Sequence, residues 1–123
     1  MRKLFLALLL TTIILSCKKN TEGSNEIYGK WKLTETLFDI GNGQGKYTKV
    51  TGPYKFIIFD KSGTVKGDVM PDITRFKLVD SVKIELISNN YIMPITHRYK
   101  VSGNKLEINP PCIEGCGLKF VRQ

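Results

Sequence analysis

From Tyr28 to Arg122, apolar and polar residues alternate with a period of two, and Gly, Asn, Asp or Pro interrupts the alternation at short intervals. Helix-type spacing is absent, so the pattern predicts an all-β body of short antiparallel strands. In the first strand Trp31, Leu33 and Leu37 share one face, with Lys30, Lys32, Thr34 and Thr36 opposite. Tyr54 to Asp60 is apolar on both faces, and Lys61-Ser62-Gly63 reads as a hairpin turn into Thr64-Val65-Lys66, with Gly67 a bulge. Phe76 and Leu78 alternate with Arg75 and Lys77; Asp80-Ser81 turns the chain into Val82, Ile84 and Leu86, and Asn89-Asn90 turns it again. A longer strand is expected to put Tyr91, Met93, Ile95, His97, Tyr99 and Val101 on one face, its start made irregular by Pro94. Leu106 and Ile108 point inward from the next strand, and a last strand runs from Leu118 to Arg122.

About eight strands joined mostly by hairpin turns close into an up-and-down barrel or stack as a sandwich. The barrel is the expected form, because closure removes edges that invite aggregation. Its interior is filled by side chains or holds one small ligand. The 123 residues suit one domain with a modest core.

Ahead of this body, Arg2-Lys3, an apolar run from Leu4 to Leu15, Ser16 and Cys17 follow one another. The order is that of a secretory signal, and the run is too short to be a spanning helix. Cys17 after the cut resembles the lipobox of bacterial lipoproteins. That resemblance implies that residues 1–16 are removed and that Cys17 carries the acyl chains, palmitate among them, which are the partner of the membrane. Residues 17–27 then form an acylated Cys and a polar, flexible tether. Each buried methylene of an acyl chain contributes about 0.8 kcal/mol to attachment. Lys18 after the Cys, rather than Asp, is compatible with an outer-membrane location in the cell envelope. The net charge is +8, of which Arg2 and Lys3 would leave with the signal. Lys and Arg are spread through every segment, which reads as a solvated basic surface. No aromatic-and-basic motif for single strands is present, and nucleic acid is not expected as a partner.

Tyr28-Gly29-Lys30-Trp31, at the head of residues 28–123, resembles the Gly-x-Trp opening of lipocalins. Arg122 stands where such barrels often carry an Arg that packs over the Trp. The resemblance assigns Gly29, Trp31 and Arg122 to barrel closure, and a guanidinium on an indole face contributes roughly 0.5–2 kcal/mol. More closely, the chain is similar to small lipocalin-like lipoproteins of Gram-negative bacteria, which also open with Gly-Lys-Trp and end with a segment like Cys112 to Phe120. Their function is uncharacterised. The resemblance implies a fold and a general binding role with no cofactor. The Thr-Asp-Tyr motif of larger lipocalins is missing, and the chain is shorter than theirs.

With Cys17 acylated, Cys112 and Cys116 remain as an even pair in an exported protein, which points to a disulfide. A loop of about five residues contributes roughly 2 kcal/mol on the chain-entropy estimate. Two thiolates joined by His97 would be the metal alternative, and it lacks a fourth ligand. A redox dithiol is disfavoured by the C-x-x-x-C spacing. Asp39 to Pro53 is the one long irregular segment, with Gly41, Gly43, Gly45 and Lys46. Ile40 and Tyr47 exclude the Walker pattern. The segment is a mobile connection or a lid over the open end, with Tyr47, Ile40 and Val50 as its apolar contacts.

By strand parity, Phe56, Ile58, Phe76, Leu86, Tyr91, Met93 and Tyr99 are candidate pocket residues, each also a candidate for plain packing. His97 and Glu35 are expected on inward faces, as a paired buried couple or as the polar anchors of a ligand headgroup. With one His and no convincing nucleophile motif, no catalytic arrangement assembles and an enzyme is not expected. Two functions stay open. One is a tethered lipocalin-like module that binds a small apolar or amphipathic molecule in or at the mouth of the barrel. The other is a filled barrel acting through its outer surface as an interaction or inhibitor module, which would show a small cavity and an exposed apolar patch.

Overall fold

The computed structural model describes residues 26–123. The signal peptide expected over 1–16, the acylated Cys17 and most of the 17–27 tether lie outside the described residues.

All regular structure among the described residues is β-strand: β1 (Gly29–Phe38), β2 (Tyr47–Lys49), β3 (Phe56–Phe59), β4 (Val65–Gly67), β5 (Ile73–Leu78), β6 (Lys83–Ser88), β7 (Ile95–Ser102), β8 (Lys105–Asn109) and β9 (Cys116–Arg122). The sheet is antiparallel, with neighbours in the order β4-β3-β1-β9-β8-β7-β6-β5, and the short β2 pairs with the far half of β1 above β3. Eight strands therefore curl into a nearly closed up-and-down barrel. The last gap, between β4 and β5, is crossed by a single bridge, Thr64 to Arg75, and by the Phe76 N–H donating to the Gly63 carbonyl at 2.9 Å. Side chains complete the seam: Phe59 and Phe76 meet edge to face, 5.1 Å between ring centres, a geometry that adds about 0.5–1.5 kcal/mol beyond area burial.

The registers give the barrel two unlike ends. Gly29, Arg122 and the turns after β3, β5 and β7 gather at one; Phe38, Cys116 and the connections after β1, β4, β6 and β8 gather at the other. Between them, Trp31, Leu33, Ile57, Phe59, Phe76, Ile84, Leu86, Leu106, Ile108 and Phe120 fill the interior together with Ile27 and Val65. Each fully buried large side chain contributes roughly 1.5–3 kcal/mol. Ile27, which the sequence places in the tether, belongs to this core and is 2% exposed.

The parity reading fails where the backbone skips a residue. Thr34 is extra in the β1–β9 ladder: Leu33 pairs with Phe120, and Glu35 pairs with Lys119. A bulge of this kind reverses the alternation beyond it. Leu33 therefore faces the core, but Thr36, opposite Leu118, takes the inner face, and Glu35 and Leu37 turn outward. The bulged Thr34 is held by its hydroxyl donating to the Lys119 carbonyl at 3.0 Å, while its own carbonyl accepts from Val50 N–H at 2.9 Å.

Candidate functional site

At one end the chain closes the barrel with a single cation. The Arg122 guanidinium lies 4.2 Å from the centre of the Trp31 ring. Its Nη1 donates to the Tyr28 carbonyl at 2.9 Å, and Nη2 donates to the Glu26 carbonyl at 2.7 Å and to Gly103 at 3.3 Å. The Trp31 indole N–H donates to the Ile27 carbonyl at 2.7 Å. Gly29 suits the start of β1 through its backbone: its φ of 123° lies where a side chain would be strained, although a Cβ there would make only an ordinary 3.5 Å contact with Arg122 Nη1. Gly29, Trp31 and Arg122 thus form one unit that pins the segment before β1.

Along the wall the candidate pocket residues divide. Phe76 and Leu86 are buried in the core. Tyr99 is half-buried against it, and its hydroxyl donates to the Asp80 carbonyl at 3.1 Å. Phe56 and Ile58 point the other way, because Ile57 and Phe59 are the buried members of β3. A run of four apolar residues carries no alternation, so sequence parity had nothing to fix its phase. On the outer face, Lys30 Nζ sits 4.5 Å from the Phe56 ring centre. Tyr91 and Met93 are corrected too: β7 starts at Ile95, and both residues stand exposed in the connection before it. Pro94 withholds a ladder donor there.

The two polar anchors are on opposite faces. His97 is buried, opposite Ile84; its Nδ1 lies 3.0 Å from the Ile95 carbonyl, and burial lowers its pKa from the ordinary imidazole value. Glu35, expected inside, lies on the outer wall 3.7 Å from Lys119 Nζ. They do not form a pair.

At the open end, the last residue of β1 and the connections after β1, β6 and β8 expose Phe38, Ile40, Tyr91, Ile92, Met93 and Ile113. These connections are neighbours around the rim, given the order β1-β9-β8-β7-β6. The Cys112–Cys116 disulfide, with Cα atoms 5.9 Å apart, staples the connection that carries Ile113. Gly115 ties it to the next one by accepting from Asp39 N–H at 3.0 Å. A cleft of about 280 Å³ lies there, lined by Phe38, Asp39 and residues 112–116.

The segment expected as a lid does something else. Tyr47 crosses the outside of the wall, over Gly117, where a Cβ would collide with its hydroxyl. The hydroxyl donates to Glu107 Oε1 at 2.9 Å, and Lys119 Nζ sits 3.8 Å from the ring centre. Burial, with the Glu107 carboxylate adding to it, raises the phenol pKa. Ile40 is exposed, and Val50 packs on the core. Asp39 and Gly41 stay at the rim beside Gly115 and Glu114, while Tyr47 to Val50 form a strap along the wall. Beside it, a groove of about 410 Å³ on the outer wall is bordered by Glu35, Lys100, Ser102, Lys105, Glu107 and Lys119. Sequence reasoning missed this groove, since its residues come from four strands whose registers are not local.

Among the described residues no group of three or more His, Cys, Asp and Glu is placed to hold a metal ion. No protein-family model, curated protein or solved structure matches the chain.

Proposed function

We propose that this is a membrane-tethered, lipocalin-like lipoprotein of the cell envelope whose filled barrel works through its surface, docking a protein partner on the apolar rim at its open end. The supporting observation is the contrast between interior and rim. The core is packed with large side chains, whereas six large apolar residues at three adjacent connections face solvent. Small-molecule sites are concave. Protruding apolar tips, one of them on a stapled loop, suit a protein surface better, and a patch of this kind commonly marks an interaction site.

The anchoring part of the proposal rests on the lipobox-like sequence ending in Cys17. Replacing Cys17 by Ser is expected to move the protein from the membrane fraction to the soluble fraction. For the rim, a photo-crosslinking amino acid at Ile92 or Ile113, in cells, is expected to yield one defined protein adduct. The same group at Lys77, on the far wall, is expected to yield none. Equal labelling from all three positions would count against the rim.

A second reading, binding of a small amphipathic molecule at the mouth, is favoured by the cleft between Phe38 and the 112–116 connection. Native mass spectrometry of the chain extracted from membranes distinguishes it. A reproducible small-molecule adduct lost in Phe38→Asp supports this reading over a protein partner.

A further inference from the structure

Where two charges face each other across strands on the outer wall, they are complementary. Glu35 lies opposite Lys49, Lys77 opposite Glu85, Lys100 opposite Glu107, and Glu107 opposite Lys119. The β6–β7 register breaks the rule by setting Lys83 directly opposite Arg98. Directly opposed like charges destabilise an antiparallel pair. Neither side chain has an ion-pair or hydrogen-bond partner among the described residues.

The two cations border a cleft of about 300 Å³ with Thr96, His97, Asn109, Pro110 and Pro111, and no carboxylate lines it. The far wall of the cleft is held in shape. Proline fixes its own φ at two successive positions, Cys112 N–H donates to the Pro110 carbonyl at 2.8 Å, and Asn109 Nδ2 donates to the Cys116 carbonyl at 3.3 Å.

We propose that this cleft is a binding site for a phosphate-class oxyanion. A guanidinium offers a planar fork of donors that matches two oxygens of such a group, a lysine adds a mobile charge, and the Thr96 hydroxyl is a further donor. Charge selects the class: a phosphate monoester carries about −1.5 to −2 at pH 7. It balances both cations, whereas a carboxylate balances one. Bound there, the oxyanion turns the repulsion between Lys83 and Arg98 into two attractions. The inference goes beyond the rim, since it concerns the wall formed by β6, β7 and the end of β8.

The test follows the amide resonances of Thr96, Arg98 and Asn109 in the full chain, held in non-ionic detergent, during titration with inorganic phosphate at fixed ionic strength, with chloride as the control. Saturable shifts with phosphate and not with chloride are expected. Affinity is expected to fall at least about tenfold in Lys83→Gln and in Arg98→Gln, the loss of a charge-assisted contact. Lys77→Gln, whose parent residue faces Glu85, is expected to change it by less than about twofold, as befits an exposed pair elsewhere on the wall. Both cleft variants remove the opposed charge, so in chloride buffer they are expected to melt no lower than the parent, which separates a lost site from a lost fold. Vesicles of phosphatidylcholine with and without phosphatidic acid distinguish the sources. Phosphate saturation without vesicle retention assigns the site to free phosphate or a small ester. Retention that requires phosphatidic acid and is lost in Arg98→Gln assigns it to a lipid headgroup. No saturable response to either probe, or a response that both cleft variants keep, overturns the proposal.

Discussion

At the closed end of the barrel three backbone carbonyls converge on Arg122 and an indole lies beneath it; at the open end six large apolar side chains stand in solvent. The first arrangement leaves its residues little room to change without loss of stability. The second is held at its base by the disulfide, the Asp39–Gly115 hydrogen bond and the Asp39 carboxylate that accepts from Gly41, Asn42 and Gly45 N–H, while its apolar tips stand in solvent. The tightly held and the solvent-facing parts are thereby separated along one axis, and if the rim docks a partner as proposed, a loop substitution that alters binding need not disturb the fold.

That separation can be broken most severely at Trp31. Trp31→Ala removes a side chain with no exposed surface and is expected to cost about 3–5 kcal/mol, read as a fall in the denaturation midpoint. A milder break is Arg122→Lys, which keeps the charge and loses the planar fork and the stacking on Trp31. It is expected to cost about 1–2 kcal/mol, measured by urea unfolding against Arg122→Ala as the upper bound.

A smaller effect sharpens the comparison from inside the wall. Burial lowers the His97 pKa in the fold, so below about pH 6.5 the unfolded chain takes up a proton that the folded chain resists. Stability is expected to decline as pH falls through that window and to level off once the folded imidazole is itself protonated. The melting temperature of the parent should therefore drop more between pH 7.5 and 5 than that of His97→Gln. Smallest of all, Ile92→Asp and Ile113→Asp are expected to change stability by less than about 0.5 kcal/mol, as exposed positions do, while abolishing the crosslinked adduct. A melting shift comparable to that of Arg122→Lys would show that the rim is part of the fold's cohesion, and the two ends would not be distinct.

The start of the closed end was legible because its signals are local, whereas Arg122, ninety-one positions from Trp31, was placed only by the resemblance. Gly29 and Trp31 sit two residues apart, before any bulge, and Leu106 and Ile108 alternate strictly with Lys105 and Glu107 in β8. The barrel was legible for the same reason: turn residues recur between short alternating strands. What the sequence hid depends on distant partners. The bulge at Thr34 is defined only by the β9 ladder, so Glu35 could not be placed from β1 alone. Phe56 and Ile58 lay in an unbroken apolar run, and Tyr47 found its position by reaching across β9 to β8. The Lys83–Arg98 opposition is likewise a property of register, invisible while the two residues are read fifteen positions apart.

The pairing of β1 with β9 has a consequence for how the protein is made. Between 78 and 91 positions separate the partners, from Phe38–Cys116 to Trp31–Arg122, which gives the fold a large share of non-local contacts and, with it, slow folding. The first strand waits with one edge unpaired until Cys116–Arg122 has emerged from the ribosome. The barrel is thus completed only after the last strand has been made, and until then β1 is a strand with half of its ladder missing.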